Sequence, residues 1–184
     1  MSKTVKTLVI ILVIVAIIAI IFVSYHNRFV RADESINAAW AQVETQYQRR
    51  ADLIPNLVNT VKGYAQHEVE VLTNITAMRA RYDAADTPEE YEAIDRDFER
   101  AINVVVEAYP DLKASEQFLS LQAELAGTEN RIAVARRDFN NQVGSYNRLV
   151  RTFPGKLFAK MYGFETRSMF QAQPESEVAP DVSF

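Results

Sequence analysis

The chain has 184 residues, 48% hydrophobic and 24% charged, which is enough for one compact core with appendages and excludes a wholly disordered protein. It contains no cysteine, and this removes disulfides, Cys-ligated zinc, iron–sulfur clusters and a thiol nucleophile together. The net charge is −4, and because the first 24 residues hold two lysines and no acid, the remainder carries 18 basic against 24 acidic residues. A balance of that sign repels phosphate backbones, so no nucleic-acid partner is expected.

Only five glycines occur, and long stretches rich in Ala, Gln, Glu, Arg and Leu favour an all-α fold. After a short polar N-terminus (residues 1–6), "LVIILVIVAIIAIIFV", Leu8 to Val23, is apolar without a break. The uncharged window 7–27 would span about 31 Å as a helix, matching the hydrocarbon core of a bilayer. Fourteen of the sixteen apolar residues are Leu, Ile, Val or Phe, so insertion gains on the order of 4–8 kcal/mol. A cleaved signal would show a shorter apolar core followed by a small-x-small site. Here Ala16 and Ala19 sit inside the run at the wrong spacing. A retained transmembrane helix is therefore expected. Lys3 and Lys6 on one flank balance Arg28 and Arg31 on the other, so the positive-inside rule assigns no orientation.

Beyond the anchor, Pro55, Pro88, Pro110 and Pro154 divide residues 28–153 into segments with apolar spacings of three and four. Ile36, Trp40, Val43 and Tyr47 mark the first segment; Leu57, Val61, Tyr64, Val71, Ile75, Met78 and Tyr82 the second; Tyr91, Ile94, Phe98, Ile102 and Val105 the third. The last runs from Phe118 through Phe139 and Tyr146 to Phe153. Thr87 is placed to cap, and Pro88 to open, the third segment. With Pro55 read as a joint, four segments give an up-and-down four-helix bundle. The alternative is a long kinked helical hairpin, since the apolar phase runs across Pro55 unbroken.

Arg50 and Glu68 fall on the apolar stripe itself, 18 residues and about 27 Å apart on a helix, too far to pair with each other. Each needs a partner from another helix, so both are candidate buried polar residues that fix register. His67-Glu68 resembles the start of a zinc-peptidase HExxH, but the second histidine position is Val71. Tyr64 stands where a di-iron bundle would need Glu. No GxGxxG, GxxxxGK[ST] or GxSxG occurs. The residues therefore suggest no catalytic group, no metal site and no cofactor.

"FPGKLFAKMYGF", Phe153 to Phe164, interleaves apolar residues with Lys156 and Lys160, whose stems can snorkel. Phe153, at the end of the segment 28–153, and Leu157, Phe158, Met161 and Tyr162, in an amphipathic segment at 154–170, are candidates for membrane or partner contact; closure of the core is the competing use of the same residues. The tail, 171–184, has the composition of a disordered acidic segment.

"RRADLIPNLVNTVKGYAQHE", "AYPDLKASEQFLSLQAELAGTENRIAVARRDFN", "SYNRLVRTFP" and Gly163-Phe164 together resemble the LemA family of bacterial membrane proteins, over Tyr25 to about Phe170. The resemblance implies one N-terminal membrane helix followed by a helical bundle in the bacterial inner membrane. It brings no enzymatic activity, cofactor or catalytic residue. It also implies an association with membrane organisation, and a magnetosome-forming relative points to membrane biogenesis. The resulting expectation is a non-enzymatic, membrane-anchored scaffold that contacts the lipid bilayer, forms homo-oligomers and docks onto other envelope proteins. The alternative is a ligand-sensing bundle that signals through a membrane partner.

Overall fold

A computed structural model describes residues 2–64 and 69–171, with the side chains of residues 69–71 excepted. The described chain is all-α: α1 Lys3–Lys62, α2 Val69–Ala84, α3 Pro88–Ala108, a 3-10 turn at Pro110–Ala114, α4 Glu116–Arg151 and α5 Gly155–Tyr162. It divides into two units. One takes the chain up to Trp40 together with Asn141–Arg167, and the other takes Ala41–Asn140 and the chain from Ser168.

In the first unit the apolar run is the exposed N-terminal part of α1, with Leu8 66% and Leu12 70% accessible. α1 passes residue 28 without interruption, so no linker separates the apolar window from the rest of the helix. The buried residues of this unit include Phe29 and Ile36 of α1 and Val143 and Tyr146 of α4. α5 lies close against the end of α4: a Cβ at Gly155 would stand 2.2 Å from the Leu149 carbonyl oxygen. Only glycine fits there. Gly163, at φ 75°, ends α5 in the left-handed region, and Phe164 N–H closes the cap on the Ala159 carbonyl at 3.0 Å. The chain then continues without regular secondary structure, held by paired hydrogen bonds between the Asn147 side chain and the Arg167 backbone, both 2.9 Å, and by Arg167 with Asp33 at 2.9 Å.

The second unit corrects the reading of Pro55. It lies inside α1 and is not a joint. Its missing N–H and its ring against the carbonyl of Ala51 cost about 3 kcal/mol. Ile54, Leu57 and Val61 are nevertheless buried to within 1% accessibility, and each contributes about 1.5–3 kcal/mol by leaving water. Continuous apolar phase therefore outweighs one lost hydrogen bond. The break comes later, where α1 stops at Lys62 before Gly63 and Tyr64 N–H turns back to the Val61 carbonyl at 2.9 Å. Tyr64, placed by spacing on the stripe, is exposed. The long-hairpin alternative, one helix through to Asp83, fails at the same point because α2 begins afresh at Val69.

Helix starts follow their caps. Thr87 and Glu90 form a reciprocal capping box ahead of α3, with Pro88 in the first turn. The Glu90 carboxylate accepts from the backbone N–H of Asp86 at 2.8 Å and of Thr87 at 3.2 Å, and these bonds, the Asp86 one foremost, hold its pKa below the ordinary glutamate range. Ser115 Oγ accepts from Phe118 N–H at 3.3 Å at the start of α4. Thr87→Ala removes one half of the α3 box. It is expected to lower the stability of the detergent-solubilised chain by about 1 kcal/mol in thermal melts followed by circular dichroism, whereas Thr76→Ala, whose hydroxyl only bonds back to the Leu72 carbonyl, should change it by under about 0.5 kcal/mol.

Candidate functional site

Each unit holds one group of side chains with the makings of a site. In the second unit, α1, α2, α3 and α4 meet at a single carboxylate, Asp95 of α3, which is 2% exposed. Its Oδ1 accepts from Arg50 Nη1 at 2.6 Å and from the Tyr82 hydroxyl at 2.9 Å. Its Oδ2 accepts from the Tyr47 hydroxyl at 2.8 Å and from the Arg136 guanidinium. Arg136 also donates to the Tyr47 hydroxyl, and Arg50 pairs with the half-exposed Glu129. Two cations thus face two anions. Phe98 lies under the Arg50 guanidinium at 5.7 Å and Phe170 under that of Arg136 at 4.8 Å.

An ionised carboxylate offers about four acceptor positions, and four donors occupy those of Asp95. It has no position left for a substrate proton. Burial first, then the Asp95 charge, raise the pKa values of Tyr47 and Tyr82 well above the ordinary tyrosine range, so both phenols stay protonated donors. Burial alone would weaken the charge on Arg50, but Asp95, with Tyr82 and Tyr47, reverses this and leaves its pKa raised. Tyr91, stacked on Tyr47 with ring centroids 4.0 Å apart, is pushed up to about 12 by burial and by nearby Glu44 and Asp86. The guanidinium side is less complete, since Arg50 Nε and Arg136 Nε are buried without a hydrogen-bond partner among the described residues.

The second group is aromatic and lies in the first unit. Phe158 stacks on Tyr25 at 4.6 Å, and Tyr162 meets Phe22 at 4.9 Å and His26 at 5.0 Å edge to face. The Tyr162 hydroxyl donates to the Phe22 backbone carbonyl at 2.9 Å. Phe164 stacks on Phe29 at 4.9 Å. α5 therefore rests on the C-terminal end of the apolar run.

Of the candidates named from spacing, Phe158 and Tyr162 share the face of α5 that touches α1. Leu157 and Met161, one position removed in each turn, are exposed at 57% and 65%, and Phe153 before the turn at 82%. Arg50 is buried at 4% with Asp95 and Glu129 as partners. Glu68 and His67 lie outside the described residues, as does the tail beyond Gln171. Spacing did not single out Asp95 or Arg136. The signal for Asp95 is present in the sequence, because it sits between Ile94 and Phe98 on an apolar stripe, the same oddity that marks Arg50. Among the described residues no group of three His, Asp or Glu side chains is placed to hold a metal ion.

Residues 39–184 match the LemA family. The chain is similar to Protein LemA of Metamycoplasma hominis, 27% identical over 88% of this chain and 76% of that protein. It is also similar to Magnetosome protein MamQ 2 of Paramagnetospirillum magneticum, 25% identical, and to Magnetosome protein MamQ of Magnetospirillum gryphiswaldense, 24% identical. In both cases the match covers 83% of this chain and 66% of the relative. None of these names denotes an enzymatic activity.

Two outcomes are expected from the Asp95 cluster. Asp95→Ala removes the buried carboxylate that two guanidinium groups share, leaving Arg50 paired with Glu129 and Arg136 bonded to the Tyr47 hydroxyl, and should cost about 3–5 kcal/mol in denaturant titration. The tyrosines set an alkaline limit: their phenols ionise near pH 10 when unfolded but only at higher pH when folded, so their stabilisation is intact below pH 10 and is lost as pH rises above it. Tyr47 and Tyr82 together should contribute about 2.7 kcal/mol per pH unit to that decline, and Tyr82→Phe should remove about 1.4 kcal/mol per pH unit of it, leaving the parts due to Tyr47 and Tyr91.

Proposed function

Taking as premise that this chain belongs to the LemA family, we propose that it is a non-enzymatic helical scaffold anchored in the bacterial inner membrane, which self-associates and docks onto other envelope proteins. The second unit is read as an up-and-down four-helix bundle, with Arg50 and Asp95 fixing helix register. The observation that carries this reading is the saturated Asp95 carboxylate: the most buried polar cluster among the described residues spends its hydrogen-bonding capacity on holding helices together. An exposed apolar window of mean hydropathy 3.4 in α1 supports the anchor. Leu157, Met161 and Phe153, exposed beside that anchor, serve as the membrane or partner contact, with Phe158 and Tyr162 securing α5 behind them. The printed names of the magnetosome relatives support a role in membrane organisation.

A ligand-sensing bundle is the second reading, and one feature favours it. A groove of about 490 Å³ between α2 and α3 is lined by Met78, Arg81, Asp97, Arg100 and Val104, within the size range of small-molecule sites. Its Arg81 and Asp97 are already paired at 2.8 Å, which leaves fewer convergent polar groups for a ligand and puts this reading second.

Carbonate extraction of cell membranes, with a photocrosslinker at Leu157 or Met161, tests the scaffold. The expected outcome is a chain retained in the pellet that crosslinks to a second copy or to another envelope protein. A chain released by carbonate, or one that is strictly monomeric and captures nothing, would overturn the proposal.

A further inference from the structure

In the first unit the last turn of α4, the turn through Pro154 and α5 enclose a groove of about 530 Å³. Arg151, Lys156 and Lys160 line it, along with Gly163, Phe164 and one carboxylate, Glu165. The close approach at Gly155 holds α5, and with it both lysines, near Arg151 at the end of α4. None of these three cations has an ion-pair partner among the described residues.

Helix dipoles account for two of the three. Arg151 and Lys160 stand in the last turns of α4 and α5, where a cation is favoured by the exposed carbonyls. Lys156 stands in the first turn of α5, where the dipole opposes a cation and no acidic residue is present. Its position calls for an anion from outside the chain.

The depth of the groove identifies the anion. α5 is fastened to Phe22, Tyr25 and His26 by ring contacts and by the Tyr162 hydrogen bond, at the end of the apolar run where a spanning helix leaves the hydrocarbon. Aromatic side chains concentrate at that level. The exposed Leu157 and Met161 lie on the same short helix, so apolar side chains and cations are offered together, as at a lipid interface.

From this geometry we infer that Arg151, Lys156 and Lys160 form a binding site for the phosphate of an anionic phospholipid headgroup. The inference rests on the membrane placement proposed for α1 and adds the lipid class that the site takes. Three cations against one carboxylate leave an excess of positive charge, which selects a net-negative headgroup over a zwitterionic one.

The test uses the full chain in detergent, titrated with phosphatidylglycerol or phosphatidylcholine and read by native mass spectrometry for retained lipid. Each cation near an anionic lipid is worth about fivefold in affinity. Phosphatidylglycerol should be retained at least tenfold better than phosphatidylcholine, and R151Q/K156Q/K160Q should lose about 100-fold, while R28Q, on α1 and outside the groove, should leave retention unchanged. Unchanged folding of the triple variant is checked by circular dichroism, and K160Q alone, with an expected fivefold loss, serves if the triple variant does not fold. Equal retention of the two lipids, equal loss in R28Q and K160Q, or competition by inorganic phosphate as effective as the lipid itself would each overturn the site. A chain that stays in the carbonate pellet yet shows no headgroup preference fails this inference alone; a chain released by carbonate fails the membrane placement beneath it.

Discussion

The second unit depends on a buried carboxylate that is useful only because every helix around it supplies a donor. Asp95 in an apolar setting would be costly by itself. Two tyrosine hydroxyls and two guanidinium groups offset that cost, and they come from three different helices, α1, α2 and α4. A slip of any of these helices by one residue would leave a charge or a phenol without its partner. Apolar packing alone tolerates such slips, because one leucine replaces another at small cost. The cluster therefore adds specificity to a core whose bulk stability comes from residues such as Ile54, Leu57, Ile75 and Ile132.

Much of this fold is legible in residue spacing. Ile36, Val43, Tyr47, Ile75, Met78, Tyr82, Tyr91, Ile94 and Phe98 are buried as their three-four rhythm requires, and Thr87 caps α3 where a β-branched hydroxyl precedes Pro-Glu-Glu. The expected joint at Pro55 is absent because a proline is only a local helix breaker. Apolar phase, which sums over several turns, decides the matter instead. The true stop, at Gly63 after Lys62, carries the ordinary signal of a basic last turn followed by glycine.

The sites are legible to different degrees. Arg50 stands out as a charge on an apolar stripe, but its partners cannot be read from the sequence, because pairing across helices depends on register that no single stripe contains. Asp95, Glu129 and Arg136 are separated from Arg50 by 45 to 86 positions in the chain. Along α5 the apolar residues are evident, yet their division into an inward pair, Phe158 and Tyr162, and an outward pair, Leu157 and Met161, needs the phase of an eight-residue helix. That phase is set by Gly155 and Gly163, which fix where the helix begins and ends.

The bond from the Tyr162 hydroxyl to the Phe22 carbonyl has a mechanical consequence. It ties α5 to the backbone of the apolar helix itself, at a position one turn before that helix would emerge from lipid on the proposed placement. A helix adapts to a thinner or thicker bilayer mainly by tilting. On that placement a tilt of the helix would carry α5 with it.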